Sequence, residues 1–367
     1  MSKNIKLLLI LHYPPPIHGA AMVGALIKES GAVNSSFETK YINLSTSVSV
    51  DDIGKQGIVK WWRYLGIILK NFFQGLFWRP QLVYITLTSH GMGLWKDAVI
   101  VVLCRLLGLK HVLHFHNKGV KKYAQNNKKA DLLYRFIFKK AKVILLSPLL
   151  YQDIAAYVAK ENVFYCANGV PALDKKHSSD SKSLDTPIQL LFLSNLIASK
   201  GVWDLLDACQ HLKEKAVLFQ CDIVGGEGDI SSQELEKQIQ ERGLQEHVHY
   251  LGKQYGEGKT AIFQSADIFI HPTQEDCFPL VLLEAMQFGL PIISSEEGAI
   301  PEIVEDGQTG FLVPKRDVHT LAEKLELLIN NKELRTSMGM AGRKKYEAEF
   351  TLARFEKRFS NIIHQII

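Results

Sequence analysis

The sequence predicts an α/β protein built from two Rossmann-like, doubly wound domains that face each other across a cleft. Three observations predict it. A chain of 367 residues exceeds one compact core, since single domains cluster near about 100–150 residues. Short β-branched or leucine-rich runs alternate with longer helical patterns, the signature of βαβ units and parallel sheets. The alternation stops at a polar, turn-rich stretch and then starts again.

In the first series the apolar runs fall at residues 6–11, 82–86, 112–115, 143–146 and 163–166, with a helical pattern at 93–107. The opening run has the composition of a signal-peptide core. It is short, however, and runs into His12-Tyr13-Pro14-Pro15-Pro16 without a small-residue cleavage site, so it reads as a buried first strand. Residues 171–187, which include Lys175, Lys176, His177, Ser178 and Ser179, have no apolar period and read as the interdomain linker. The second series places runs at 189–194, 218–224, 247–251, 266–270 and 291–294, with helices starting at Val202, Ser231 and Pro279. The closing residues carry Phe355, Phe359, Ile362 and Ile363 at helical spacing, an apolar stripe that must pack on something. The expected division is residues 1–175, 176–350, and a helix over 351–367 that returns toward the first domain.

Composition narrows the class. The 47% hydrophobic and 22% charged content is that of a globular protein, and no segment supplies the roughly 18 uninterrupted apolar residues of a membrane span. Cys104, Cys166, Cys209, Cys221 and Cys277 are odd in number and lack any C-x-x-C pair, which speaks against a disulfide framework or structural zinc and fits the cytoplasm. The net charge of +5 hides an asymmetry. Up to Lys175 there are 23 basic and 9 acidic residues, and beyond it 20 and 29, so the halves are +14 and −9. One domain is set to face something anionic.

Doubly wound domains bind ligands at the carboxyl ends of strands, where the free N–H groups of helix N-termini favour phosphate. The run ending at Ile270 is followed by His271, Pro272, Thr273, Gln274, Glu275, Asp276, Cys277, Phe278, Pro279 and Leu280. Pro279 suits a first helical turn. The N–H groups of Leu280, Val281 and Leu282 are then free for a diphosphate, and Glu284 lies one turn further on to accept from sugar or ribose hydroxyls. The alternative is an acid-capped amphipathic helix and nothing more.

This segment resembles the signature of glycosyltransferase family 4, a group of GT-B architecture with two glutamates separated by seven residues. Here the match is Asp276-x7-Glu284, with Asp in place of the first Glu. The resemblance implies that Asp276 meets donor-sugar hydroxyls and Glu284 the ribose. Residues Phe192 to Val202 are similar to the family's strand, phosphate loop and helix start. By that match Lys200 is the diphosphate-binding lysine, and Asn195 stands where an arginine is usual, donating hydrogen bonds but bringing no charge. Gly225, in Val224-Gly225-Gly226-Glu227-Gly228, follows the family's order, which implies a place in the donor site, and lacks the G-x-G-x-x-G spacing of a dinucleotide fingerprint. Gly252 resembles the turn that holds the nucleotide base, and Gly298 to Val304 with Gly307 to Gly310 resembles the family's closing loop. Turn geometry alone also accounts for these glycines.

In the first half, Gly19 follows the first strand and opens a helix, which suits close backbone approach to phosphate or sugar. The resemblance makes His116, in His114-Phe115-His116-Asn117, the histidine that faces the donor sugar, against a structural role for both histidines. The H-x-H pair lacks carboxylate or cysteine partners for zinc, and no D-x-D pair offers a diphosphate-bound metal, so a metal-independent reaction is expected.

Between Lys118 and Lys142 stand nine basic residues against Asp131 alone, +8 in 25 residues. Lys60-Trp61-Trp62-Arg63-Tyr64, Phe72-Phe73 and Phe77-Trp78-Arg79 mix aromatic and basic groups, the composition of a segment lying in lipid headgroups. A solvated cationic face over buried aromatics is the alternative, and no nucleic-acid motif accompanies the charge. The expectation is a retaining transferase that moves a sugar from a nucleotide-diphosphate donor to a glycan or lipid-linked acceptor, peripheral on the inner face of the cytoplasmic membrane. Its rivals are an epimerase or hydrolase of the same plan and a non-catalytic sugar-nucleotide binder.

Overall fold

The computed structural model describes residues 5–15, 18–46, 57–173 and 186–367. The expected linker lies mostly outside the described residues, as do Pro16 and Ile17. Contacts divide the chain into two units, Met1–Asn168 with Ala353–Ile367, and Gly169–Leu352.

The first unit is built on six parallel strands: β1 (Lys6–Leu11), β2 (Glu38–Asn43), β3 (Leu82–Thr86), β4 (His111–His114), β5 (Lys142–Leu145) and β6 (Val163–Tyr165). Their order is β2-β1-β3-β4-β5-β6. Leu7 to Leu11 and Leu82 to Ile85 are wholly buried, because helices cover both faces of the sheet and leave no polar side for alternation to mark. The helix Leu352–Ile366 belongs to this unit and buries Phe355, Phe359 and Ile363, with the Phe359 ring edge-on to Tyr84 at 5.2 Å. Burial of three such side chains accounts for the apolar stripe of the closing segment.

The second unit repeats the plan with β7 (Ile188–Leu193), β8 (Phe219–Val224), β9 (Val248–Tyr250), β10 (Ile268–His271), β11 (Ile292–Ser295) and β12 (Gly310–Val313), all parallel. The order is β12-β11-β10-β7-β8-β9. Leu190, Phe192, Ile223, Ile268 and Ile293 form its core with Leu205, Leu206 and Leu325 from the covering helices. Strand order reverses between β1 and β3 in one unit and between β7 and β10 in the other. Neighbouring loops diverge there and leave a crevice at the carboxyl ends of the strands.

Two strands were not anticipated. β2 is an edge strand whose residues, Ile42 apart, keep contact with solvent, so its sequence lacks the apolar run of the central strands. β12 starts at Gly310, which reads as a turn. A Cβ there would lie 2.0 Å from the Ile292 carbonyl oxygen, so the glycine serves the close approach of β12 to β11.

Candidate active site

The loop that leaves β7 at the switch point of the second unit carries Asn195. Its Oδ1 accepts from the Gly226 N–H at 3.3 Å, and the Leu196 N–H donates to the Gly226 carbonyl at 2.7 Å. The Gly225 N–H in turn donates to the Gly252 carbonyl at 2.9 Å. Asn195, Gly225 and Gly252 therefore stand side by side at the carboxyl ends of β7, β8 and β9. Lys200 lies one short turn further along, ahead of the helix Val202–Glu214.

Lys200 joins this loop to the one after β10. Its ammonium donates to Asp276 Oδ2 at 2.7 Å and to the Glu275 carbonyl at 3.0 Å. Asp276 Oδ2 also accepts from His271 Nε2 at 3.1 Å, and His271, the last residue of β10, is buried. Burial raises the Asp276 carboxyl, but the His271 hydrogen bond and the charges of Lys200 and His271 outweigh it and hold the group below the ordinary carboxylate range. From its other side the buried Glu297 accepts the Asp276 N–H at 3.3 Å and pairs with Lys315 at 2.6 Å. The glycine that follows makes this possible. Gly298 has φ +55, and a Cβ there would sit 2.5 Å from the Asp276 carbonyl oxygen.

The helix Leu280–Gln287 starts directly after Pro279, which is its cap and not its first residue. The Leu282 N–H donates back to the Pro279 carbonyl at 3.2 Å, which corrects the expectation of three idle amides. Those of Leu280 and Val281 have no acceptor among the described residues. Phe278 turns its ring into the unit, edge-on to Phe350 at 6.1 Å, so only its backbone is left for a ligand. Glu284 accepts both of its hydrogen bonds, each 2.7 Å, from the Lys259 ammonium.

At the switch point of the first unit, histidines gather at the carboxyl ends of β1 and β4. His18 caps the helix Gly19–Glu29, its Nδ1 accepting from the Ala21 N–H at 3.3 Å. Gly19 opens that helix with open space around the place a Cβ would take. His114 Nδ1 lies 2.6 Å from the Tyr84 hydroxyl, and the rings of His114 and His116 are 4.1 Å apart. Both ring nitrogens of His116 are buried and without a partner among the described residues. Burial, then the charges of His12 and His18, lowers its pKa to about 3, so the ring is neutral at pH 7. Neighbours fix its loop: Asn117 Oδ1 accepts the Ser89 N–H at 3.1 Å, and Asp153 accepts the N–H groups of Gly119, Val120 and Lys121.

Structure thus joins Lys200 to Asp276 directly and Asn195 to the Gly225 turn, sets Glu284 about one turn inside the helix that follows Asp276, and places Gly19 and His116 in the other unit. Sequence reasoning assigned no role to His271, Lys259, Glu297 or Lys315. His271 was discoverable as the polar end of an apolar strand. The other three carry no local signal.

Residues 174–345 match the sequence profile described as glycosyl transferases group 1. The amylovoran biosynthesis glycosyltransferase AmsK of Erwinia amylovora is 27% identical over 271 residues, 71% of this chain and 65% of that protein. The putative colanic acid biosynthesis glycosyltransferase WcaL of Escherichia coli K12 is 28% identical over 50% of this chain and 47% of its own. The chain thus spans between about half and two thirds of the length of these curated relatives. Among solved structures, Anabaena Alr3699/HepE in complex with UDP and glucose superposes with a TM-score of 0.74 at 18% identity, covering 99% of this chain and 100% of that one. At that identity the likeness speaks for the fold alone, and the fold is the expected one, two doubly wound units of the GT-B kind.

Proposed function

We infer, from a chain that over residues 174–345 belongs to the glycosyl transferases group 1 family, that this protein moves a sugar from a nucleotide-diphosphate donor to an acceptor hydroxyl with retention. The names of AmsK and WcaL support a glycan acceptor in the synthesis of a bacterial surface polysaccharide, and we take that acceptor to be lipid-linked. The UDP and glucose held by HepE support a UDP-sugar as donor. One observation carries the reading. At the switch point of the second unit Lys200 lies on Asp276 and Lys259 on Glu284, with the idle amides of Leu280 and Val281 between them.

On this reading the donor exchanges partners with the protein. Its diphosphate takes the Lys200 ammonium and the two amides, its ribose hydroxyls take Glu284, and its sugar hydroxyls take Asp276. The bond from C1 to the phosphate oxygen breaks with its electron pair passing to the diphosphate, whose growing charge Lys200 and the helix N-terminus stabilise. The acceptor oxygen bonds to C1 on the face the phosphate leaves, and its proton passes to the departing phosphate oxygen. Lysine and amides supply the positive potential, so the reaction proceeds without a metal.

Thermal shift against UDP-, GDP- and ADP-sugars identifies the donor, and a transfer assay with lipid-linked oligosaccharide tests the activity. Lys200→Ala and Glu284→Ala should each lower kcat/KM by about 100-fold with an unchanged circular dichroism spectrum. Wild-type rates in both variants would sink the reading. Donor turnover that needs no acceptor would replace it with a hydrolase or epimerase.

A further inference from the structure

In the helix Ile58–Phe73 the residues Ile58, Trp61, Trp62, Leu65, Leu69 and Phe73 share one face at 3.6 residues per turn. An amphipathic helix on a globular unit normally turns such a face inward. Here it is the outer one: Trp61 keeps 74% of its surface exposed, Trp62 68% and Ile58 77%. The inner face carries Ile67 and Asn71, both buried. This side fixes the helix to its neighbour, Gly91–Leu106, through the Tyr64 hydroxyl on the Lys96 carbonyl at 2.7 Å and the Asn71 amide near Cys104 Sγ at 4.0 Å. The outward direction of the stripe is thus set by packing.

The stripe runs on past the helix. Phe77, 74% exposed in the π turn Gln74–Trp78, stacks on Phe73 with ring centroids 6.0 Å apart. The adjoining helices extend it. The crossovers from β2 to β3, β3 to β4 and β4 to β5 all run the same way along the sheet, so right-handed connections put Ile58–Phe73, Gly91–Leu106 and Lys128–Phe138 on one side of it. Leu106 and Leu132 are among the exposed apolar residues of the latter two. Soluble surfaces rarely gather so much apolar area without a partner.

Charge says which partner. The helix Ile58–Phe73 carries Lys60, Arg63 and Lys70 and no acid, and Lys128–Phe138 adds Lys128, Lys129 and Arg135 against one aspartate. Exposed tryptophan and phenylalanine beside lysine and arginine match an interface of apolar depth and anionic surface. A protein partner would call for counter-charges in fixed places, whereas anionic lipid headgroups supply them anywhere. No helix among the described residues is long and apolar enough to cross a membrane.

We propose that this face of the first unit docks the chain onto an anionic lipid bilayer, with the helix Ile58–Phe73 lying in the plane of the headgroups. The proposal goes beyond the transfer reading and does not depend on it, because docking needs neither donor nor catalytic residues. Flotation of the purified full chain with phosphatidylcholine vesicles, with and without phosphatidylglycerol, tests it in the absence of any sugar nucleotide. The chain should float with the anionic vesicles, with tryptophan emission shifted to the blue and quenched by brominated lipid. The variant Trp61→Ser/Trp62→Ser/Phe73→Ser, at exposed positions that leave the melting temperature unchanged, should lower the bound fraction by at least about ten-fold. Lys70→Glu should weaken binding to the anionic vesicles at low salt. Equal binding to both kinds of vesicle, unchanged binding of the triple variant, or no flotation at all would overturn the proposal. So would a wild-type dimer in light scattering that the triple variant dissolves without any vesicle binding, since a second copy would then cover the face.

Discussion

At Asp276 two opposed effects meet: burial raises a carboxyl's pKa, while the His271 hydrogen bond and the Lys200 charge lower it, and the second pair wins. The carboxylate therefore stays ionised at neutral pH with two donors already on Oδ2, and a sugar hydroxyl must displace one or share Oδ1 with the Cys277 N–H, which donates to it at 2.9 Å. Lys200 consequently serves both acid and ligand, and Asn195 adds no charge of its own to share that load. Asn195 is exposed and its bond to the Gly226 N–H is long, so an arginine in its place disturbs little. Asn195→Arg should tighten UDP binding about five-fold, the roughly 1 kcal/mol of an exposed ion pair, as read by titration calorimetry. Unchanged affinity would show that the diphosphate does not pass this loop. Lys200, Asp276 and Glu284 were singled out in the sequence by their resemblance to a family signature, and the fold brings Lys200 onto Asp276. Lys259, Glu297 and Lys315 were not, since their partners lie 18 to 25 residues away and only the folded chain brings them together.

Whole elements carry the histidine cluster of the first unit. Burial, then the Lys96 charge, lowers His12 to about 4, and burial, then His12, does the same to His18. His116 at about 3 completes the set. Folded histidines thus titrate below the ordinary 6.5, and between pH 6.5 and 4 the unfolded chain binds more protons than the folded one. Stability is full above pH 6.5 and falls as the pH drops through that window, by about 2 kcal/mol for one such histidine at pH 5. Urea unfolding followed by circular dichroism should accordingly show a lower midpoint at pH 5 than at pH 7.5, with a smaller difference in His12→Asn. An equal or higher midpoint at pH 5 would mean that the histidines are not buried as neutral rings. The same elements show what sequence pattern can reveal. β1, β3, β7 and β10 were plain because strands covered on both faces must be continuous apolar runs. β2 escaped notice because an edge strand keeps polar residues, and β12 because its first residue is the glycine that lets it approach β11.

Across the whole molecule each unit holds its polar machinery at the carboxyl ends of its strands. The second unit also has a groove at the opposite ends of β10 and β11, lined by Asp267, Gly289, Arg335 and Arg343. Its arginines would suit an anion, yet it lies away from the switch point, and in doubly wound sheets ligands take the carboxyl ends. The two places make different predictions for a nucleotide diphosphate without sugar. If the proposed donor site is right, UDP should slow hydrogen exchange of the amides around Lys200, Gly225, Leu280 and Val281. At 100 times its dissociation constant it should also stabilise the folded state by about 2.7 kcal/mol. Protection confined instead to Gly289 and the helix Lys332–Lys345 would move the anion to the other end of the sheet and leave the Lys200–Asp276 pair a purely structural bond. The comparison also separates binding from packing at Glu284. Ribose that replaces Lys259 frees that lysine, so exchange near Lys259 in the helix Gly256–Ser265 should rise, or stay level, while that at Leu280 and Val281 falls.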